Sequence, residues 1–181
     1  MRIAVMGSGG VGGYFGGRLA QAGQDVTFIA RGEHLRAMRE RGLEVRSAAG
    51  DFHVRARVTD DPGSLGPVDL VLFAVKSYDT ESAGRQCRPL VGSGGVLLCL
   101  QNGVDNEDRL ADLLGREAVL AGVVHILSTI SAPGVVAQTA GPRTIRLGEL
   151  DGRATPRVAR ILATLTAAGI DGRPSPDILL D

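Results

Sequence analysis

Apolar residues fall into short runs broken by glycine, proline and acidic residues, and the runs alternate between strand-like and helical periods. Arg2–Met6 is a nearly continuous apolar run suited to a buried parallel strand. Val11, Phe15, Leu19 and Ala22 then recur at helical spacing, and Gly23 stands where a helix stops. Asp25–Ala30 is a second β-rich run. A polar helix is expected over Glu33–Arg41, ended by Gly42, then short strands at Leu43–Arg46 and Phe52–Val58 around the turn Ala49-Gly50-Asp51. Asp69–Val75 and Gly95–Leu100 read as buried strands, each followed by a helix, at Asp79–Leu90 and Asp105–Leu114. Ala118–Ile126 reads as a further strand. Two β-like stretches, Val135–Gln138 and Thr144–Gly148, flank a Gly141-Pro142 break, and a helix at Pro156–Ala168 ends at Gly169.

Strand, helix and strand repeating in this way predict an α/β fold: a doubly wound, mostly parallel sheet in a three-layer αβα arrangement. Residues 1–176 suffice for one such domain. Ser175-Pro176-Asp177 resembles a helix start, with Ile178-Leu179-Leu180 as its first apolar turn. The expectation is a helical segment that starts at 177–181 and is cut short.

Composition narrows the classes. The chain has 181 residues, 20 Lys+Arg against 20 Asp+Glu, and 3% aromatics, so it carries neither the basic surface nor the stacking platforms of a nucleic-acid binder. Its apolar runs are too short for a membrane span, and no signal-peptide pattern opens it. Cys87 and Cys99 lie inside apolar segments and read as reduced core thiols of a cytoplasmic protein. His34 reads as a solvated surface residue, His53 as part of an exposed ribbon and His125 as the end of a strand. None has a partner at metal-ligand spacing.

Candidate chemistry lies in the glycines and at the strand ends. Gly7-Ser8-Gly9-Gly10-Val11-Gly12 has the G-x-G-x-x-G spacing directly after the first strand and at the start of the first helix, as in Rossmann-type domains. Gly7 permits the turn, Gly9 lets backbone approach a pyrophosphate, Gly12 lets helix and strand pack closely, and the helix N-terminus favours the phosphates. At the end of the second strand the acid that would accept a ribose 2′-hydroxyl is absent. Ala30-Arg31 stands there instead, and Arg31 can pair with a 2′-phosphate, which favours NADP(H) over NAD(H). Glu33 nearby is the residue that can still reach a ribose. Lys76, the single lysine, follows the strand Asp69–Val75, and Asn102 follows Gly95–Leu100. Both therefore belong at carboxyl ends of strands, where doubly wound sheets bind ligands.

These segments together resemble the ketopantoate reductase (2-dehydropantoate 2-reductase) family. The matching elements are RIAVMGSGGVGGYFGGRLAQAGQDVTFIAR at 2–31, VKSYDT at 75–80, QNG at 101–103 and AGVVHILSTISAPGVVAQT at 121–139. The resemblance covers the family's N-terminal, NADP-binding domain. It implies NADPH-dependent reduction of ketopantoate to pantoate in pantothenate and coenzyme A biosynthesis. By analogy Gly7, Gly9 and Gly12, with the loop residues Ser8, Gly10 and Val11, hold the pyrophosphate and Arg31 the 2′-phosphate. Lys76 and Asn102 stand beside the ribose and nicotinamide, near the substrate, and Ser128 supplies a further cofactor contact. The family's general-acid lysine belongs to a helical C-terminal domain, so the resemblance implies cofactor binding by this chain without full turnover. Two alternatives stay open: an NADP-linked reductase of another 2-keto acid, and a non-catalytic NADPH-binding module. A small-molecule keto acid is the expected partner, and pairing of two copies through the exposed end of the domain is a further possibility.

Overall fold

A computed structural model describes every residue except Ser93, Leu179 and Asp181. Among the described residues the chain forms strands β1 (Arg2–Met6), β2 (Asp25–Ile29), β3 (Leu43–Ser47), β4 (Phe52–Val54), β5 (Arg57–Thr59), β6 (Leu70–Phe73), β7 (Val96–Cys99), β8 (Val119–Ala132), β9 (Val135–Glu149) and β10 (Asp171–Pro174). The α-helices are α1 (Gly10–Gln21), α2 (Gly32–Arg41), α3 (Thr80–Val91), α4 (Asn106–Leu114) and α5 (Pro156–Ala167).

The strands lie in one sheet in the order β4-β3-β9-β8-β7-β6-β1-β2-β5, with β10 beside β9. Strand β1 pairs in parallel with β2 and β6, β6 with β7, and β7 with β8, whereas β8–β9 and β3–β4 are antiparallel. Alternation along each central strand divides the core. Ile3 and Val5 of β1, Leu70 and Leu72 of β6, and Leu98 of β7 face a cluster built with α1, α2 and α5. Ala4, Met6, Val71, Phe73, Leu97 and Cys99 face a second cluster under α3 and α4. Near-continuous apolar strands are what a sheet covered on both faces requires, so the observed fold is the expected three-layer, Rossmann-type one.

Three elements depart from the sequence reading. Phe52–Val58 is not one strand. Val54 ends β4, antiparallel to β3, and Arg57 begins β5, parallel to β2 at the other end of the strand order. Three residue steps span at most about 11 Å, so the sheet curls until its ends approach one another around α1. Helix α1 indeed touches β1, β2, β3, β4, β8 and β9. Its glycines permit this: an added Cβ on Gly16 would meet the Phe28 ring and Val5 at 2.7 Å, and one on Gly17 would meet Phe52 at 3.0 Å.

Second, the strand read at Ala118–Ile126 continues to Ala132, and the two stretches read around Gly141-Pro142 form one strand, β9. The long β8–β9 hairpin turns at Gly134 (φ 80°), and the Gly141-Pro142 break is a mid-ladder irregularity with shifted register between His125 and Leu127. Third, Asp171–Pro174, to which the sequence reading assigned no element, forms β10, parallel to Thr144–Leu147. At the chain end, the amide of Leu180 donates to the carbonyl of Asp177 in a tight turn. The expected helical turn at Ile178-Leu179-Leu180 lies partly outside the described residues.

Candidate functional site

The carboxyl ends of β2, β1, β6 and β7 lie side by side and open onto a cleft of about 490 Å³. Gly7 to Val11 leave β1 into its floor, and Arg31 and His34 enter from the β2 end. Lys76 follows β6, Asn102 follows β7, and Ser128 and Ile130 reach in from β8. The cleft thus brings together nine of the residues singled out from sequence: Gly7, Ser8, Gly9, Gly10, Val11, Arg31, Lys76, Asn102 and Ser128. Gly12 lies beneath the loop, where an added Cβ would stand 2.2 Å from the carbonyl oxygen of Gly7.

The glycine loop is shaped by close backbone approaches. Gly7 has φ 95°, and an added Cβ there would meet the backbone of Ala74 and Val75 at 2.7–2.9 Å. A Cβ on Gly10 would stand 2.2 Å from the carbonyl oxygen of Ser128. Gly9 differs: a Cβ there would meet nothing within 4 Å, because its face is open. Gly9 caps α1 with no side-chain hydrogen bond, and no acidic residue occupies the first turn. The free amides and positive end of α1 are therefore left for an anion.

Arg31 caps α2, is exposed, and makes no ion pair among the described residues. Glu33 does not line the cleft and instead meets Arg36 at 3.3 Å. Lys76 is likewise exposed and has no acidic partner among the described residues. The site combines an uncapped helix terminus, two free cations and an open glycine face, which suits an extended ligand carrying phosphates. No helix among the described residues is long and apolar enough to cross a membrane.

Ser8 holds the loop in place, and His34 differs from its sequence reading. Ser8 is 4% exposed, and its hydroxyl donates to the Ile29 carbonyl at 2.9 Å, so it ties the loop down rather than offering the hydroxyl to the cleft. His34 is not a solvated surface residue. Its Nδ1 accepts from the amide of Gly134 at 3.0 Å, and burial pushes its pKa below the ordinary imidazole value, with the Ser8 backbone opposing. Its Nε2 and the Ser128 hydroxyl are buried without hydrogen-bond partners among the described residues, both at the cleft wall. The signal for His34 was its position three residues after Arg31, which places it in the first turn of α2 facing the sheet.

A polar network behind the cleft was also missed. Gln101 Nε2 donates to the Val75 carbonyl and to Thr80 Oγ1, both at 2.9 Å. Thr80 Oγ1 lies 2.9 Å from Asn106 Oδ1 and 2.8 Å from the Ser77 carbonyl, and Asn106 Nδ2 donates to the Asn102 carbonyl at 3.0 Å. Only its location, between Lys76 and Asn102, could have signalled it. Cys87 and Cys99 are buried and unpaired to each other, and burial pushes the Cys87 thiol up to about 12.

The model of the family described as Ketopantoate reductase PanE/ApbA matches residues 3–152. The 2-dehydropantoate 2-reductase of Halobacterium salinarum is 37% identical over 177 residues, covering 94% of this chain and 56% of that protein. The crystal structure of 2-dehydropantoate 2-reductase from Porphyromonas gingivalis W83 superposes with a TM-score of 0.92 at 39% identity, covering 98% of this chain and 64% of that one. The 2-dehydropantoate 2-reductase from Geobacter metallireducens gives 0.90 at 38% identity, covering 97% and 58%. The chain spans about half the length of the curated relatives it matches. With its doubly wound fold, its glycine loop and these matches, the chain belongs to the ketopantoate reductase family of oxidoreductases.

Proposed function

We propose that this chain binds NADPH for the reduction of 2-dehydropantoate to pantoate. The observation that carries the cofactor choice is the disposition of Arg31 and Glu33. Arg31 lines the cleft with no ion-pair partner among the described residues, while Glu33 lies outside the lining against Arg36. A 2′-phosphate needs a cation there, and a bare 2′-hydroxyl needs an acid. The substrate choice rests on the relatives, which are named for 2-dehydropantoate.

In this reading the amides of Gly9, Gly10 and Val11 at the start of α1 hold the pyrophosphate, and Arg31 pairs with the 2′-phosphate. Lys76 and Asn102 stand at the far end of the cleft, where an ammonium and an amide can orient a ribose, a carboxamide and a keto-acid carboxylate. Bound NADPH supplies a hydride to the 2-keto carbon, and the resulting alkoxide takes a proton. Lys76 stabilises negative charge as it develops. The resemblance places the proton donor in a helical C-terminal domain, so residues 1–181 by themselves are expected to bind the cofactor without turnover.

Parallel fluorescence titrations of the chain with NADPH and NADH test this, followed by addition of 2-dehydropantoate. Tighter binding of NADPH, with no loss of its 340 nm absorbance when the keto acid is added, is the expected result. Equal or NADH-favoured binding overturns the cofactor assignment, and sustained oxidation overturns the division of labour.

A further inference from the structure

The polar network behind the cleft has a direction. The Val75 and Asn102 carbonyls can only accept, which fixes the amide orientations of Gln101 and Asn106. The Cys99 thiol, kept protonated by burial, points at Gln101 Oε1 across 3.6 Å. Gln101 Nε2 then donates to Thr80 Oγ1, the Thr80 proton goes to Asn106 Oδ1 or the Ser77 carbonyl, and Asn106 Nδ2 donates to the Asn102 carbonyl. With the Thr80 proton on Asn106 Oδ1, Gln101, Thr80 and Asn106 each both accept and donate, so the chain polarises in one sense and strengthens along its length. Thr80 and Asn106 are each 0% exposed.

The acceptors at its ends are informative. Val75 and Ser77 flank Lys76, and the Asn102 carbonyl belongs to the other strand-end residue. Gln101, past the end of β7, and Asn106, at the start of α4, each spend a hydrogen bond on the backbone around those two positions, and Thr80, at the start of α3, lies between them. Helix packing alone does not require this, because Ala83, Cys87 and Leu110 already bury the α3–α4 interface.

We infer that Thr80 is a positioning residue whose hydroxyl, accepting from Gln101 and donating toward Asn106, locks the two strand-end loops so that Lys76 and Asn102 meet one ligand together. The inference rests on the dinucleotide reading of the cleft. It says that the nicotinamide end of the site is one unit, separable from the glycine loop and Arg31.

The test uses Thr80→Val, which keeps the shape and removes the hydroxyl, and Thr80→Ser, which keeps the hydroxyl. Each is titrated with NADPH and with adenosine 2′,5′-bisphosphate, a probe of the Arg31 end that is too short to reach Lys76 and Asn102. Thr80→Val is expected to weaken NADPH about tenfold while changing the bisphosphate by less than about twofold, and Thr80→Ser to stay within about twofold on both. Asn106→Ser, at the other end of the chain, is expected to repeat the selective loss, and serves if Thr80→Val does not fold. An equal loss for both ligands, or no loss for NADPH, overturns the role of Thr80. A wild-type chain that binds neither ligand overturns the dinucleotide reading instead.

Discussion

The hydroxyl and the amide of Ser8 both donate to the carbonyl of Ile29, at 2.9 and 3.3 Å. That oxygen lies two residues before Arg31, so the glycine loop and the Arg31 end of the cleft are held to each other. Ser8→Ala leaves part of this buried contact unmade and is expected to cost about 1–2 kcal/mol of stability, read by chemical denaturation. It is also expected to weaken NADPH binding several-fold, because loop and Arg31 no longer hold one spacing. Unchanged binding would show that the amide contact alone suffices.

Gly9 and Gly10 separate packing from binding. Gly9→Ala is expected to leave thermal unfolding within a few degrees of wild type, since its φ is −75° and nothing stands within 4 Å of the new methyl. The methyl enters the ligand's space, so NADPH affinity is expected to fall at least tenfold. Gly10→Ala drives its methyl to 2.2 Å from the Ser128 carbonyl oxygen and is expected to lower both stability and binding. Thermal scans with and without NADPH distinguish the two.

The glycine loop, Arg31, Lys76 and Asn102 were legible in the sequence because each follows a strongly apolar strand, and carboxyl ends of parallel strands are where such sheets bind ligands. The split between β4 and β5 was not, because Phe52, Val54, Ala56 and Val58 alternate without interruption and nothing local reports that the sheet curls around α1. Strand β10 was hidden by Asp-Gly-Arg-Pro, whose turn propensity gives way to pairing with β9. His34 and Thr80 escaped for a shared reason. Their roles depend on partners about 100 and 26 positions away, Gly134 and Asn106, which periodicity cannot bring together.

His34 makes stability depend on pH near neutrality. Its folded pKa is below the ordinary 6.5, so the unfolded chain binds the proton more readily. The contribution is complete above pH 6.5 and is lost as pH falls from there through the folded value. Protonated Nδ1 would also face the amide hydrogen of Gly134. Denaturant midpoints are expected to fall between pH 7 and 5.5 in wild type, and to fall less in His34→Asn, which keeps an acceptor for Gly134.

A second dependence lies at lower pH. The Glu149 side chain, 9% exposed, is gripped by the Arg157 guanidinium on both oxygens and by the Thr155 hydroxyl at 2.6 Å. Desolvation raises its pKa, but the bonds from Arg157 and Thr155 outweigh it and hold the pKa below the ordinary 4.5. This stability is present above pH 4.5 and lost as pH falls through the folded value. Glu149→Gln leaves a partly buried guanidinium without its counter-charge, at an expected cost of about 2–3 kcal/mol at pH 7. The difference from wild type is expected to shrink toward pH 3.

Arg31 is proposed to make this cleft a site for a 2′-phosphorylated dinucleotide, and the ratio of NADPH to NADH affinity in wild type and Arg31→Ala tests that role most directly. A charge-assisted pair to the 2′-phosphate is worth about 1.5–3 kcal/mol, or about one to two decades in affinity. The variant is expected to lose that much affinity for NADPH and almost none for NADH, so that the ratio collapses toward one. A ratio that does not change on removing Arg31 would contradict it.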